Sequence, residues 1–111
     1  MLHEKLGCYR KSVQLAEDLS KGGAKWPKGY GYLLDQLRRA MASVVLNLAE
    51  GNARKTAAER RRFFEISRAS AAEVSACLDL AGAFGIVAPA LMQARKARLS
   101  EISRMIWGLI R

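Results

Sequence analysis

The sequence predicts an all-α protein that folds as an up-down-up-down antiparallel four-helix bundle. Apolar residues recur at helical spacing in four segments, and no run of β-branched residues alternates with a period of two. The connections between the four segments are short, which favours antiparallel neighbours. With 111 residues, the chain is expected to form one domain, residues 1–111, around one core.

The first helix is predicted to run from about His3 to Ser20, because the Gly22-Gly23 pair that follows is a typical helix end. Its apolar residues repeat every three or four positions, so one face is expected to be buried: Leu6, Tyr9, Val13, Ala16 and Leu19. The loop that follows contains Trp26 and leads into the second helix.

The second helix is predicted from Tyr30 to Gly51, with Gly51 as its stop. One apolar stripe is expected in the core: Tyr30, Leu34, Leu37, Met41, Val44 and Leu48. A separate polar line follows another face: Gln36, Arg39, Ser43, Asn47 and Glu50. Leu46 lies outside both stripes, which indicates that more than one neighbour covers this helix.

The polar line of the second helix has two interpretations. It is either a binding groove or a hydrogen-bonded seam against the third helix, which offers Ser67, Ser70 and Glu73. In a seam, Arg39 needs a carboxylate partner, and Glu73 or Glu50 would supply one.

The third helix has a clear start signal, because Thr56 and Glu59 form a T-x-x-E capping box with reciprocal bonds to backbone amides. It is predicted from Ala57 to about Phe84, with these residues inward: Phe63, Ile66, Val74, Cys77, Leu78, Ala81 and Phe84. Pro89 then opens the fourth helix, whose apolar stripe is Met92, Leu99, Ile102, Ile106 and Leu109.

Charge gives the main indication of function. Nineteen Lys and Arg residues against ten Asp and Glu residues give a net charge of +9, which favours polyanionic partners and nucleic acid first. Five cations crowd the junction of the second and third helices, and Arg68 follows two turns further along the third helix. All six are expected to contact phosphates: Arg54, Lys55, Arg60, Arg61, Arg62 and Arg68. The alternative is a solvated, charge-rich helix start.

Two further residues of the fourth helix suggest self-association. Arg95 falls inside the apolar stripe, so it either extends to solvent at the end of the bundle or crosses a subunit boundary. Trp107 points away from that stripe and is expected to anchor an interface.

Other functional classes find little support. His3 is the only histidine and no glycine-rich phosphate loop is present, so no enzyme activity, cofactor or metal site is expected. The longest apolar run, Leu80 to Met92, has 13 residues and is too short to cross a bilayer. Two cysteines form no disulfide framework, so the expected location is the cytoplasm and both thiols are expected to be buried.

The segment from Trp26-Pro27 to Glu73, with Gln36-Leu37-Arg38-Arg39-Ala40 and Ala49-Glu50-Gly51 at its centre, resembles a family of small bacterial four-helix-bundle proteins. That family includes the protein encoded within intervening sequences of large-subunit ribosomal RNA genes. It is similar to the accessory variability protein of diversity-generating retroelements. The resemblance implies a homopentameric ring with a basic surface that binds nucleic acid or a nucleic-acid enzyme, and it implies no catalytic residues.

Three functions remain open on this basis. The first is sequence-indifferent nucleic-acid binding, driven by counterion release at the six cations. The second is a protein adaptor that docks an acidic or nucleic-acid-processing partner. The third, an anionic membrane surface, is disfavoured because the basic helices also supply the core.

Overall fold

The computed structural model of the protein describes residues 2–111, with side chains from Lys5 onward. It contains four helices, α1 (Leu2–Gly23), α2 (Gly31–Ala53), α3 (Ala57–Ala83) and α4 (Pro89–Ile110), and no strand within the described range. The bundle measures 45 × 23 × 19 Å. The predicted all-α class is therefore confirmed. The side chain of His3, the only histidine, lies outside the described residues.

Neighbouring helices run antiparallel. Arg38, near the start of α2, donates a hydrogen bond at 3.2 Å to the carbonyl of Ser20, near the end of α1. The other three neighbouring pairs follow the same pattern, through Gln36 with Glu73, Arg61 with Ile110, and Lys11 with Glu101. This arrangement confirms the up-down-up-down bundle and places the α2–α3 connection at one end, opposite the other two connections.

The core stripes predicted for α2 and α4 are largely confirmed. Leu37, Met41, Val44 and Leu48 are buried in α2, and Leu99, Ile102 and Ile106 are buried in α4. Pro89 opens α4 as predicted, within its first turn. A four-helix bundle of this size has one core, so the bulky apolar side chains of α2 and α4 must face it. They thereby fix the rotation of each helix about its own axis.

The face predicted for α1 is correct at Leu19 and in part at Tyr9 and Ala16, which are partly buried against the core, and it is wrong at Leu6 and Val13. The buried residues are Cys8, Ser12, Leu15 and Leu19, whereas Leu6 is 42% exposed and Val13 is 41% exposed. Ser12 can face the core because its hydroxyl donates to the carbonyl of Cys8 at 2.9 Å, within its own helix. A polar residue that needs no outside partner therefore occupies a position that the apolar pattern did not select.

The first half of α3 is also rotated from the prediction. Phe64 is buried while Phe63 is only half-buried, and Ile66 is exposed. At the other end, Phe84 follows the last residue of α3 and is also exposed, against the prediction. The ring of Phe64 lies against Gly51, where an added Cβ would be 2.5 Å from its Cε1 atom. Gly51 is thus not a helix stop, because α2 continues to Ala53 and uses this glycine to let α3 approach.

Helix α3 begins and ends at defined signals. The backbone amide of Glu59 donates to Oγ1 of Thr56 at 3.1 Å, which confirms that Thr56 caps the helix. The second predicted bond, in which the Thr56 backbone amide would donate to the Glu59 carboxylate, does not occur among the described residues. After Ala83 the chain turns at Gly85, whose φ of 73° is a left-handed conformation that glycine adopts without strain.

Candidate nucleic-acid interface

The polar line of α2 forms hydrogen bonds along α3. The hydroxyls of Ser43 and Ser70 lie 2.7 Å apart, and the amide of Gln36 donates to the carboxylate of Glu73. Asn47 continues the line within α2 by donating to the carbonyl of Ser43 at 2.9 Å. A further bond, from the buried hydroxyl of Ser67 to the carbonyl of Val44 at 2.8 Å, fixes the relative height of the two helices. We call this set of hydrogen bonds the polar seam.

The expected ion pair of Arg39 is absent from the part of the chain that the structure describes. Gln36 already donates to Glu73, and Arg54 binds Glu50 at 2.7 Å, so both candidate carboxylates have other partners. The Arg39 side chain is exposed and makes no hydrogen bond or ion pair with the described residues.

The six predicted phosphate contacts do not form one patch. Four of them surround the connection between α2 and α3, and we call these the junction cluster: Arg54, Lys55, Arg60 and Arg62. The other two, Arg61 and Arg68, contact α4 instead. Because an α-helix turns by about 100° per residue, consecutive cations on α3 cannot share a face.

The junction cluster is organised around the ring of Phe63. The guanidinium carbon of Arg54 lies 4.8 Å from the ring centroid, and that of Arg62 lies 5.8 Å from it. Nη1 of Arg60 donates to the backbone carbonyls of Arg54 at 3.3 Å and Lys55 at 2.7 Å. These contacts hold three guanidinium groups at the surface without neutralising them.

The local sequence explains why the cations converge here. The chain leaves α2 at Arg54 in an extended conformation, and Thr56 caps α3 only two residues later. The free carbonyls at the end of α2 attract the guanidinium of Arg60, which offsets the unfavourable position of a cation near the start of α3. The apolar spacing predicts Phe63 in the core, whereas its ring lies under two guanidiniums, a role that the neighbouring Arg62 indicates.

The junction cluster keeps most of its positive charge. Within the described residues, Arg54 is the one member with a carboxylate partner, an exposed Glu50 one helical turn away. Exposed ion pairs of this kind stabilise a helix by less than about 1 kcal/mol, so phosphate groups compete with them readily. The cluster can therefore bind phosphate oxygens.

Arg68 lines an open groove of about 740 Å³ between α3 and α4, and Arg61 contacts Ile110, another residue of its lining. The guanidinium carbon of Arg68 lies 4.9 Å from the ring centroid of Trp107. Nε of Arg61 donates at 3.4 Å to the carbonyl of Ile110, near the end of α4. Arg68, predicted to contact phosphate, therefore lies against Trp107, predicted to anchor an interface.

Arg95 makes its contacts within its own chain. It is half-buried and donates at 3.4 Å to the carbonyl of Asp18, near the end of α1. Its guanidinium also covers Gly22, where an added Cβ would be 2.6 Å from Nη2. Within this chain, the cation therefore extends toward the end of the bundle.

Other ionisable groups stabilise the fold. Hydrogen bonds from Arg98 to Asp18, at 2.6 Å, and from Lys11 to Glu101, at 2.9 Å, join α1 to α4 and lower the pKa of both carboxyl groups. Burial raises the pKa of the Cys8 thiol to about 11, against a smaller effect of the bond with Ser12. Both cysteines are free and buried, as predicted.

Two general findings concern the described residues as a whole. They contain no group of three or more His, Cys, Asp or Glu side chains that could hold a metal ion. None of their helices has the length and apolar character needed to span a bilayer.

Comparisons with known proteins identify the family. A solved protein of unknown function, from the S23 ribosomal protein family of Bacteroides thetaiotaomicron VPI-5482, has the same fold with a TM-score of 0.86. The two share 16% sequence identity over 96% of this chain and 97% of that chain, a likeness that shows the fold alone. No curated protein matches the sequence. The family model for the 23S rRNA-intervening sequence protein matches residues 4–108, and this chain therefore belongs to that family.

Proposed function

We propose that this protein is a non-enzymatic, homo-oligomeric protein of the cytoplasm that binds nucleic acid through phosphate contacts of the junction cluster. The observation that carries the proposal is that the charges of Lys55, Arg60 and Arg62 are not neutralised. These cations have no carboxylate partner in the described part of the chain, and the contacts of Arg60 and Arg62 hold their guanidiniums at the surface.

The geometry favours phosphate binding over base reading. Arg60 uses Nη1 for the two carbonyls, so Nε and Nη2 remain available to donate to a phosphate. The ring of Phe63 lies under Arg54 and Arg62 and is not free to stack on a base. Affinity would come from the release of counterions, with little dependence on sequence.

Self-association would multiply the available charge. The resemblance implies five copies, which at +9 each would carry about +45. Exposed apolar residues on the long helices, such as Leu46 and Trp107, supply surface for such contacts.

A salt series tests the proposed binding. We expect affinity for a random duplex or a structured RNA to fall by orders of magnitude between about 50 and 200 mM salt. Replacing Lys55, Arg60 and Arg62 with alanine should lower the slope of log K against log salt by about 2 to 3, since each lost phosphate contact removes about 0.7 to 0.9.

A matched variant controls for total charge. Arg10, Lys25 and Lys28 are exposed cations outside the junction cluster, and their triple alanine variant has the same net charge as the junction variant. This control variant should retain nearly the full slope of log K against log salt. A flat salt response of the unmodified protein, or equal losses in the two triple variants, would contradict phosphate binding at the junction.

The groove between α3 and α4 favours a second candidate, a protein adaptor that docks an acidic or nucleic-acid-processing partner. Trp107 is half-exposed at the groove beside Arg68, and small side chains such as Ala72 and Ser103 line it, which suits a protein helix. A variant that carries Arg68→Ala and Trp107→Ala, still binds nucleic acid and no longer captures a defined acidic partner would select this function instead.

A further inference from the structure

Two matching lines of exposed residues run along the outer sides of α2 and α3. In each line, successive members are seven residues apart, and seven residues make nearly two full helical turns. The α2 line is Tyr32, Arg39 and Leu46, and the α3 line is Ile66, Glu73 and Leu80. The apolar members are 64%, 62%, 40% and 44% exposed for Tyr32, Leu46, Ile66 and Leu80.

The polar seam sets the heights of these two lines. The bonds between Ser43 and Ser70 and from Ser67 to Val44 fix the antiparallel register of α2 against α3. Counted from those bonds, the members form three levels along the bundle: Tyr32 with Leu80, Arg39 with Glu73, and Leu46 with Ile66. Each line therefore has apolar side chains above and below one charge, and the two charges have opposite signs.

The central charges of the two lines are available. Arg39 has no hydrogen bond or ion pair with any described residue. Glu73 accepts the amide of Gln36 at Oε2, while Oε1 makes no bond within the described range. Both side chains are exposed, so a carboxylate and a guanidinium from different molecules can meet there.

We propose that the α2 line of one copy of this protein packs against the α3 line of another copy, with Arg39 opposite Glu73 of the second copy. A rotation about an axis parallel to the helices preserves heights, so it also brings Tyr32 onto Leu80 and Leu46 onto Ile66. The contact rests on the self-association part of the proposed function and is independent of nucleic-acid binding. A two-fold pair makes it twice in one interface, whereas a larger ring uses the two lines on different neighbours.

Charge and size both favour a second copy as the occupant. Packing α2 against α2 in the antiparallel sense would place Arg39 against its own copy, and like charges repel. Packing the α2 line against the α3 line instead places Arg39 of one copy against Glu73 of the other, so each contact pairs opposite charges. A side of the bundle, 45 by 19 Å, covers about 850 Å², close to the roughly 800 Å² per partner of a stable protein interface.

Charge reversal with mixing tests the contact. We expect Arg39→Glu and Glu73→Arg each to weaken assembly at least tenfold, measured as the protein concentration at which light scattering reports a 12.3 kDa monomer. Mixing the two variants should restore most of the assembly, because Glu at position 39 of one copy then meets Arg at position 73 of the other. A ring of five copies retains one contact between like-charged copies, so recovery there is partial. An ion pair within one chain could not be restored by mixing.

Three variants complete the design. Arg10→Glu makes the same charge change on α1 and should leave the mass unchanged. Leu46→Asp should dissociate the assembly while its thermal unfolding stays that of a folded bundle, because the side chain is 62% exposed. If Glu73→Arg fails to fold, Glu73→Gln retains an acceptor for Gln36, removes the charge and should still weaken assembly.

The outcomes separate the contact from the rest of the proposal. A monomeric unmodified protein would overturn both self-association and the contact. An assembly that persists in Arg39→Glu, Glu73→Gln and Leu46→Asp would overturn the contact alone. A mixture of the two charge-reversed variants that remains monomeric would also overturn it.

Discussion

Replacing Gly51 with alanine tests the close approach of α2 and α3. The new methyl carbon would lie 2.5 Å from Cε1 and 2.7 Å from Cδ1 of Phe64, well inside ordinary carbon contacts. The Phe64 ring is buried and cannot rotate to solvent, so the packing must distort at a cost of about 1–3 kcal/mol. Alanine also favours a helix interior over glycine by about 1 kcal/mol, which offsets part of that cost.

Gly108→Ala is the matched control, because Gly108 lies in the last turn of α4, as Gly51 does in α2, and no atom lies within 4 Å of the added Cβ. We expect this variant to gain the helix preference alone. The difference in unfolding free energy between the two variants then measures the contact at about 1–3 kcal/mol, or about 4 °C of Tm per kcal/mol. Circular dichroism during urea and thermal unfolding, at one protein concentration, provides the measurement.

The result has a clear contrary outcome. If Gly51→Ala stabilises the protein as much as Gly108→Ala does, α2 and α3 do not approach as described. A second check uses Phe64→Leu, which removes the ring edge. In that background Gly51→Ala should cost less, and the reduction gives the coupling between the two positions.

Further predictions concern the cap, the thiols and the ion pairs. Thr56→Ala should lose about 1 kcal/mol of unfolding free energy in urea, because the Glu59 amide loses its acceptor, whereas Thr56→Ser should retain most of it. The Cys8 thiol, whose pKa burial raises to about 11, should react with a thiol reagent at pH 8 only as fast as the protein opens; rapid reaction of the folded protein would contradict its burial. Because the hydrogen bond with Arg98 lowers the pKa of Asp18, its stabilisation is present above the ordinary carboxyl pKa of about 4 and is lost as the pH falls through the lowered value. Asp18→Asn should therefore unfold with a weaker pH dependence below about pH 4, and an unchanged profile in acid titration would contradict the pair.

The apolar pattern could predict the elements but not every face. In α2 and α4, bulky residues such as Leu48 and Ile106 leave one possible rotation, and the prediction is confirmed. In α1, the pattern selected Val13 as a core residue, while the bundle buries Ser12. The difference arises because the Ser12 hydroxyl bonds within its own helix and its small size lets α1 pack closely, neither of which a hydropathy pattern measures.

The sequence could predict which residues belong to the candidate site, but not which of them lie together in the structure. The spacing of Ser43 and Ser70 indicated a seam because both helices carry small polar residues at matching intervals. The absence of an ion pair at Arg39 was not predictable, because it depends on which other donors bind Glu73 and Glu50. In the structure these donors are Gln36 and Arg54. The contact of Arg68 with Trp107 likewise depends on how α4 lies against α3, which no local pattern encodes.

The position of the α2–α3 connection at one end of the bundle has a consequence for valency. Copies related by an axis parallel to their helices would present every junction cluster on the same rim, so one nucleic-acid strand could engage several of them at once. After the first contact, each later one would occur at a high effective concentration, and avidity could exceed the affinity of a single copy by about 10²–10⁴-fold. Weak individual sites would then suffice for tight binding to long strands, while short oligonucleotides would dissociate quickly.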